Sequence, residues 1–215
     1  RATMDMDATI RNHPVNENSI KTMFEEIVSI PIDDDISFSF QGVGEIRKND
    51  AYGGYRISLT ANFPPMKVPL KLDITTGDKI TPEAVEYKYP MMFSNGTLEI
   101  FAYNLETILA EKLETVISRG DQNTRPRDFY DIFILSKLKG NMINLDTLRR
   151  ALSETSRKRN SSDLIPQYRS IVEQVIESTA MQQHWKTYQR DYEYAREVEF
   201  SLACETIIKI MDSIR

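Results

Sequence analysis

One cysteine, Cys204, and two histidines, His13 and His184, are all that these 215 residues offer of the side chains that favour transition metals. A single cysteine excludes an internal disulfide framework and a cysteine-rich zinc site. Two histidines argue against a histidine-built metal centre or a His-centred catalytic triad. Nothing resembles a signal peptide, and no apolar run approaches the roughly 20 residues needed to span a bilayer. The expected location is therefore the cytoplasm, with no membrane contact. Internal repeats and low-complexity tracts are also missing. A net charge of −5 argues against nucleic-acid binding by the whole surface, while leaving room for a local basic patch.

What remains is ordinary globular composition, 40% hydrophobic and 27% charged, enough for one large domain or two small ones. The chain opens at Arg1, without an initiator methionine and already inside a patterned segment, so it is expected to be an N-terminally truncated view of a longer protein.

The first hundred residues are rich in period-two patterns. Ile36 to Phe40 alternates, and Gly42 and Gly44 then read as a turn. Tyr55, Ile57, Leu59 and Ala61 alternate with Arg56, Ser58 and Thr60, and Val68, Leu70, Leu72 and Ile74 with Pro69, Lys71, Asp73 and Thr75. Such runs, with Asn-Asp and Gly-Gly between them, predict antiparallel strands joined by hairpin turns. Glu17 to Ile30 reads as one early helix, and Val85–Tyr89 and Leu98–Ala102 as short strands. After Tyr103 the period changes to helical. Leu105, Ile108, Leu109, Leu113, Val116 and Ile117 form one stripe, with Asn104 as N-cap. A second helix is predicted over Arg127 to Lys139, apolar nearly all round and so buried. A third is capped by Asp146 and runs to about Thr155. Two long ones follow over Leu164–Gln182 and Tyr192–Ile214. The predicted class is α+β: a mixed sheet with flanking helices in residues 1–102, then a helical domain in 103–215 that completes the active-site cleft.

The chemistry begins at the first residues. In a strand, Arg1, Thr3, Asp5 and Asp7 share one face and Ala2, Met4 and Met6 the other. Asp73 supplies a third carboxylate from a second strand-like run. Two aspartates near a chain end are commonly plain surface residues, but three on sheet surfaces suit a hard divalent cation of the kind that serves phosphoryl chemistry. Lys112 falls in the apolar arc of its helix with Ile108, Leu109 and Val116, where a lysine needs a partner or must snorkel to water. The alternative is an ammonium aimed at phosphate. If Lys112 served stability alone, Lys112→Met would be neutral or stabilising. Asp128 and Asp131 lie three apart on one helical face behind Pro126, with Arg125, Arg127 and Lys112 as candidate partners.

Together, Arg1-x-Thr-x-Asp5-x-Asp7, Leu72-Asp73-Ile74 followed by Gly77-Asp78, Glu106-Thr-Ile-Leu-Ala-Glu-Lys112-Leu and Arg125-Pro-Arg-Asp128-Phe-Tyr-Asp131-Ile resemble the AbiEii/AbiGii family. Those are nucleotidyltransferase-like proteins, often toxins of bacterial toxin–antitoxin and abortive-infection systems that act in phage defence. The resemblance covers residues 1 to about 135, and the helical remainder fits loosely. It implies a nucleotidyltransferase-like fold and transfer of a nucleotidyl group from a nucleoside triphosphate to an RNA acceptor such as tRNA, or to a protein. Asp5, Asp7 and Asp73 match the residues that hold Mg²⁺ or Mn²⁺. Asp73, Lys112 and Asp128 match catalytic positions, with Lys112 on the nucleotide phosphates and Thr3, Arg125 and Arg127 beside them. A cognate antitoxin is an expected partner. The family's Gly-Gly/Ser-Thr turn, whose backbone N–H groups and hydroxyl hold the triphosphate, is expected just before Arg1.

Two other classes compete. A nucleotidyltransferase fold without activity would act as an interaction module, and Asp-x-Asp also occurs in metal-dependent glycosyltransferases, although no doubly wound nucleotide-binding pattern accompanies it here. Arg149-Arg150 and Arg157-Lys158-Arg159 read as a solvated basic loop or as a contact for RNA phosphates. Trp185, Tyr188, Tyr192 and Tyr194 read as helix packing ahead of base stacking. His13 and His184 receive no role.

Overall fold

The computed structural model describes residues 6–11, 15–32, 35–46, 53–76, 79–92 and 94–215. Thr3, Asp5 and His13 lie outside the described residues. The chain divides into two compact units, Arg1–Asp78 and Lys79–Arg215. The change from strand to helix period near residue 103 thus falls inside the second unit, which holds a hairpin of its own.

The first unit is a four-stranded sheet with one helix. Its strands are β1 (Met6–Ile10), β2 (Ser37–Ile46), β3 (Gly54–Phe63) and β4 (Met66–Thr76), in the spatial order β1-β4-β3-β2. β1 runs parallel to β4, while β4–β3 and β3–β2 are antiparallel, the last two strands joining β4 in a meander. Helix α1 (Glu17–Ser29) opens with a capping box, Asn16 Oδ1 accepting from Ser19 N while Ser19 Oγ accepts from Asn16 N. Its Ile20 and Phe24 are buried with Ile57, Leu59 and Ile74 of the sheet. Alternation then sends the polar set (Asp7, Arg56, Ser58, Asp73) to the opposite face.

Gly42 and Gly44 make no turn. β2 continues through both, with a register shift between Phe40 and Gly42, the mark of a β-bulge that absorbs one extra residue without ending the strand. Gly54 is where a side chain has no room, since a Cβ would lie 2.9 Å from Ile74 O.

The second unit opens with a hairpin, β5 (Val85–Pro90) and β6 (Thr97–Ala102), followed by α2 (Leu105–Arg119), α3 (Pro126–Lys139), α4 (Leu145–Lys158), α5 (Tyr168–Glu177), α6 (Thr179–Asp191) and α7 (Phe200–Ser213). Asn104 caps α2, accepting from Thr107 N at 2.7 Å, and its Nδ2 reaches back to Thr81 O at 2.6 Å. α4 is capped by Asn144, two residues before the expected Asp146, because Asn144 Oδ1 is the acceptor for Thr147 N. The expected Leu164–Gln182 helix is broken at Ser178, which leaves the helical backbone region and caps α6. The expected Tyr192–Ile214 helix begins only at Phe200. The preceding segment makes a single 3-10 turn at Glu193–Ala195 and is pinned by Trp185 Nε1 and Gln189 Nε2, each donating to Val198 O at 3.0 Å. Only the first half of α3 is buried, Asp128 to Phe133. Its second half passes from half-buried at Ile134 to Ser136 to exposed, with Leu138 66% exposed. The core joins Leu113 and Ile117 of α2, Phe129 and Ile132 of α3, and Cys204 and Ile207 of α7. Trp185, Tyr188, Tyr192 and Tyr194 form a ring cluster with Tyr130 and Phe200, which is packing within the helical unit.

Candidate active site

On the polar face of the first sheet, the parallel register sets Asp7 beside Asp73. Neighbouring strands lie about 4.8 Å apart and registered residues point the same way, so the two carboxylates are adjacent. This is the alternation read from the sequence, with Leu72 and Ile74 turned to the core. The row continues across β3 to Arg56 and across β2 to Gly44. Arg56 holds Asp73 with both arms of its guanidinium, Nε to Oδ1 and Nη2 to Oδ2, each at 2.7 Å. One step along, the hydroxyls of Thr9 and Thr75 meet at 3.0 Å.

Asp7 and Asp73 are hard oxygen donors of the type Mg²⁺ or Mn²⁺ prefers, and their adjacency fits a divalent cation. Asp5, expected from the sequence to share that face, lies outside the described residues. Among the described residues no three His, Cys, Asp or Glu side chains gather as a metal cluster.

Arg56 was not anticipated, yet a signal existed. The tight connection at Pro64-Pro65 pairs Phe63 with Met66, and counting outward by seven residues brings Arg56 opposite Asp73.

In the helical unit, Lys112 reaches from α2 to α3. Its Nζ stands 2.8 Å from Asp131 Oδ2 and 3.2 Å from Asp128 Oδ1. Asp128 is nearly enclosed, its side chain 3% exposed, and Lys112 retains 20%. Arg125 Nε lies 3.0 Å from Asp128 Oδ2, the two meeting as charges and not as an aligned hydrogen bond. The local sequence builds this. Asn123 Oδ1 accepts from Arg125 N at 2.8 Å, and Pro126 starts α3 where its missing N–H costs nothing. Asp128 and Asp131 then emerge one turn apart, Asp128 in the first turn, where the helix N-terminus favours its charge. Of the three cations considered from the sequence, Lys112 and Arg125 reach these carboxylates. Arg127 is exposed.

Two of the three ammonium donors of Lys112 are used by the aspartates, which leaves one N–H directed by a rigid pair of acceptors. The basic stretch behaves differently from a uniform patch. Arg159 turns inward to Glu114, Nη1 to Oε2 at 2.6 Å, while Ser161 Oγ donates to Glu114 Oε1 at 2.8 Å. Glu114 is 2% exposed, and Arg159 serves that buried carboxylate. His184 is exposed on α6.

A model of the family described as "Nucleotidyl transferase AbiEii toxin, Type IV TA system" matches residues 1–205. No curated protein is matched. Two solved Helicobacter pylori proteins are similar along the whole chain. JHP933 shares 17% identity, with 76% of its own length covered and a TM-score of 0.44. A protein described as a "putative nucleotidyltransferase" shares 18% identity, with 78% covered and a TM-score of 0.46.

Proposed function

The chain belongs to the AbiEii family of nucleotidyl transferase toxins of type IV toxin–antitoxin systems, and from that premise we propose a divalent-metal-dependent transfer of a nucleotidyl group from a nucleoside triphosphate to an RNA, such as tRNA, or to a protein. The setting is the bacterial cytoplasm, with a cognate antitoxin and a role in abortive infection against phage. The observation that carries the reading is the register of Asp7 with Asp73 on the polar face of the sheet.

Asp5, Asp7 and Asp73 would hold Mg²⁺ or Mn²⁺, whose charge offsets that of the triphosphate during in-line displacement. The acceptor's hydroxyl or phosphate oxygen attacks the α-phosphorus and pyrophosphate leaves. Asp73 orients the acceptor or takes its proton. Lys112 supports the triphosphate with the N–H that Asp128 and Asp131 leave to it, and those aspartates fix its direction. Thr3, Arg125 and Arg127 add donors for phosphate oxygens. Among the described residues no helix is long and apolar enough to cross a membrane.

The test incubates the protein with each labelled nucleoside triphosphate and Mg²⁺ or Mn²⁺, with total RNA or with purified protein as acceptor. Label should enter an acceptor, stop on chelation, and be lost in Asp5→Ala/Asp7→Ala while the melting curve is retained. No incorporation with any nucleotide would favour an interaction module. Undiminished incorporation in the double variant would remove the two aspartates from the reaction.

A further inference from the structure

The fork between Arg56 and Asp73 places two demands on one carboxylate. A bidentate guanidinium is short, charge-assisted and directional, and it occupies both oxygens. Each oxygen keeps a second lone pair, but a metal ion at roughly 2.0–2.6 Å from either would stand beside the guanidinium, and the two cations repel. The Asp73 side chain is 13% exposed and that of Arg56 45%. The carboxylate thus lies low in the sheet face, with the arginine closing over it from β3.

The surroundings of Arg56 are unequal on its two sides. Toward β4 and β1 lie Asp73 and Asp7. Toward β2 the row ends at Gly44, with Gly42 one step along beside Ser58. A Cβ built on either glycine would meet nothing within 4 Å. Gly42, Gly44, Arg56 and Ser58 line a shallow open hollow. Among the described residues, the arginine thus has open space on the side away from the carboxylates.

Resting on the metal-dependent reading proposed above, we infer that Arg56 is a positioning residue that keeps Asp73 oriented and out of the cation's first shell until the guanidinium turns away over Gly42 and Gly44. Asp73 is then a ligand in reserve, and metal alone binds through Asp5 and Asp7. The freed guanidinium, with its five donors, becomes available to an anionic oxygen of the incoming substrate.

The experiment measures binding of Mn²⁺ alone to the full chain, by loss of the free-ion electron paramagnetic resonance signal, with no nucleotide present. The variants are Arg56→Gln, Arg56→Lys, Asp73→Asn, Arg56→Gln/Asp73→Asn and Asp5→Ala/Asp7→Ala, each with a melting curve. Arg56→Gln should bind Mn²⁺ about tenfold tighter. Arg56→Lys, which keeps the charge but not the fork, should fall between it and the parent. In the Asp73→Asn background the Arg56→Gln gain should largely vanish. Equal affinity in Arg56→Gln and the parent protein would overturn the inference. So would an equal gain with and without Asp73, which would mean only a change in local field. Mn²⁺ binding indifferent to Asp5→Ala/Asp7→Ala would instead defeat the metal reading itself.

Discussion

Lys112 Nζ is shared between Asp131 at 2.8 Å and Asp128 at 3.2 Å, so one ammonium on α2 ties together two carboxylates a turn apart on α3. This changes what removing the charge does. Viewed in sequence, a lone lysine in an apolar arc predicts a neutral or stabilising Lys112→Met. With two mostly enclosed aspartates on it, the same substitution takes the shared cation from both, while Asp128 keeps the Arg125 charge at 3.0 Å.

Lys112→Met is therefore expected to lower stability by about 2–4 kcal/mol, the usual cost of breaking a buried pair from one side, reduced for partial exposure. Adding Asp131→Asn should recover part of the loss, because one of the two carboxylate charges deprived of the ammonium is removed. Urea unfolding of the single and double variants measures this. A Lys112→Met protein as stable as its parent would show that water replaces the ammonium at no cost. Nucleotide transfer should be lost in both variants, and retention of transfer would remove Lys112 from the chemistry.

Arg159 belongs to the fold. Arg159→Met leaves Glu114 with only the Ser161 hydroxyl, among the partners described, against an almost fully buried carboxylate. We expect a loss of about 2–4 kcal/mol, against under about 0.5 kcal/mol for the surface change Arg150→Gln. RNA affinity per folded molecule should be unchanged by Arg159→Met. A drop in RNA affinity without a drop in melting temperature would restore the phosphate-contact reading.

Cys204 is fully enclosed on α7, and burial pushes its thiol up to about 12. The thiolate is the reactive form, so the native protein should resist a disulfide reagent at pH ~8, and the thiol should react at the rate of global unfolding. Stoichiometric labelling within seconds under native conditions would mean that α7 opens locally.

The sheet was legible where one face is buried. The alternation of β3 and β4 and the separation of Asp73 from Leu72 and Ile74 follow from a strict period of two against the α1 side chains Ile20 and Phe24. Register was hidden in the turn: Arg56 opposite Asp73 follows from the Pro64-Pro65 connection, not from any pattern in β3 itself. Gly42 and Gly44 misread as a turn because glycine marks bulges as well as reversals. The long C-terminal helices misread because helical periodicity continues through Ser178, where a side-chain cap to Met181 N competes with the ladder. Around Lys112, sequence showed an odd lysine and two aspartates at helical spacing. Which cation would meet them was decided by the turn at Asn123, which brings Arg125 to Asp128.

Asp212 provides a pH-dependent contribution whose sign can be worked out. Its carboxylate accepts from the Tyr168 hydroxyl and, at 2.7 Å, from Arg169 Nη2. The Tyr168 hydrogen bond, followed by Arg169, holds it below its ordinary value of 3.8. A carboxyl depressed in the folded state contributes stability that is present above the unfolded value and lost as pH falls through the folded one. Asp212→Asn should therefore lower the melting temperature near pH 7. The gap between parent and variant should narrow steadily once the pH drops below about 4. Thermal melts of both proteins across that range decide it. A gap of constant size down to pH ~2 would show that the Tyr168 and Arg169 contacts act through shape and not through the charge of Asp212.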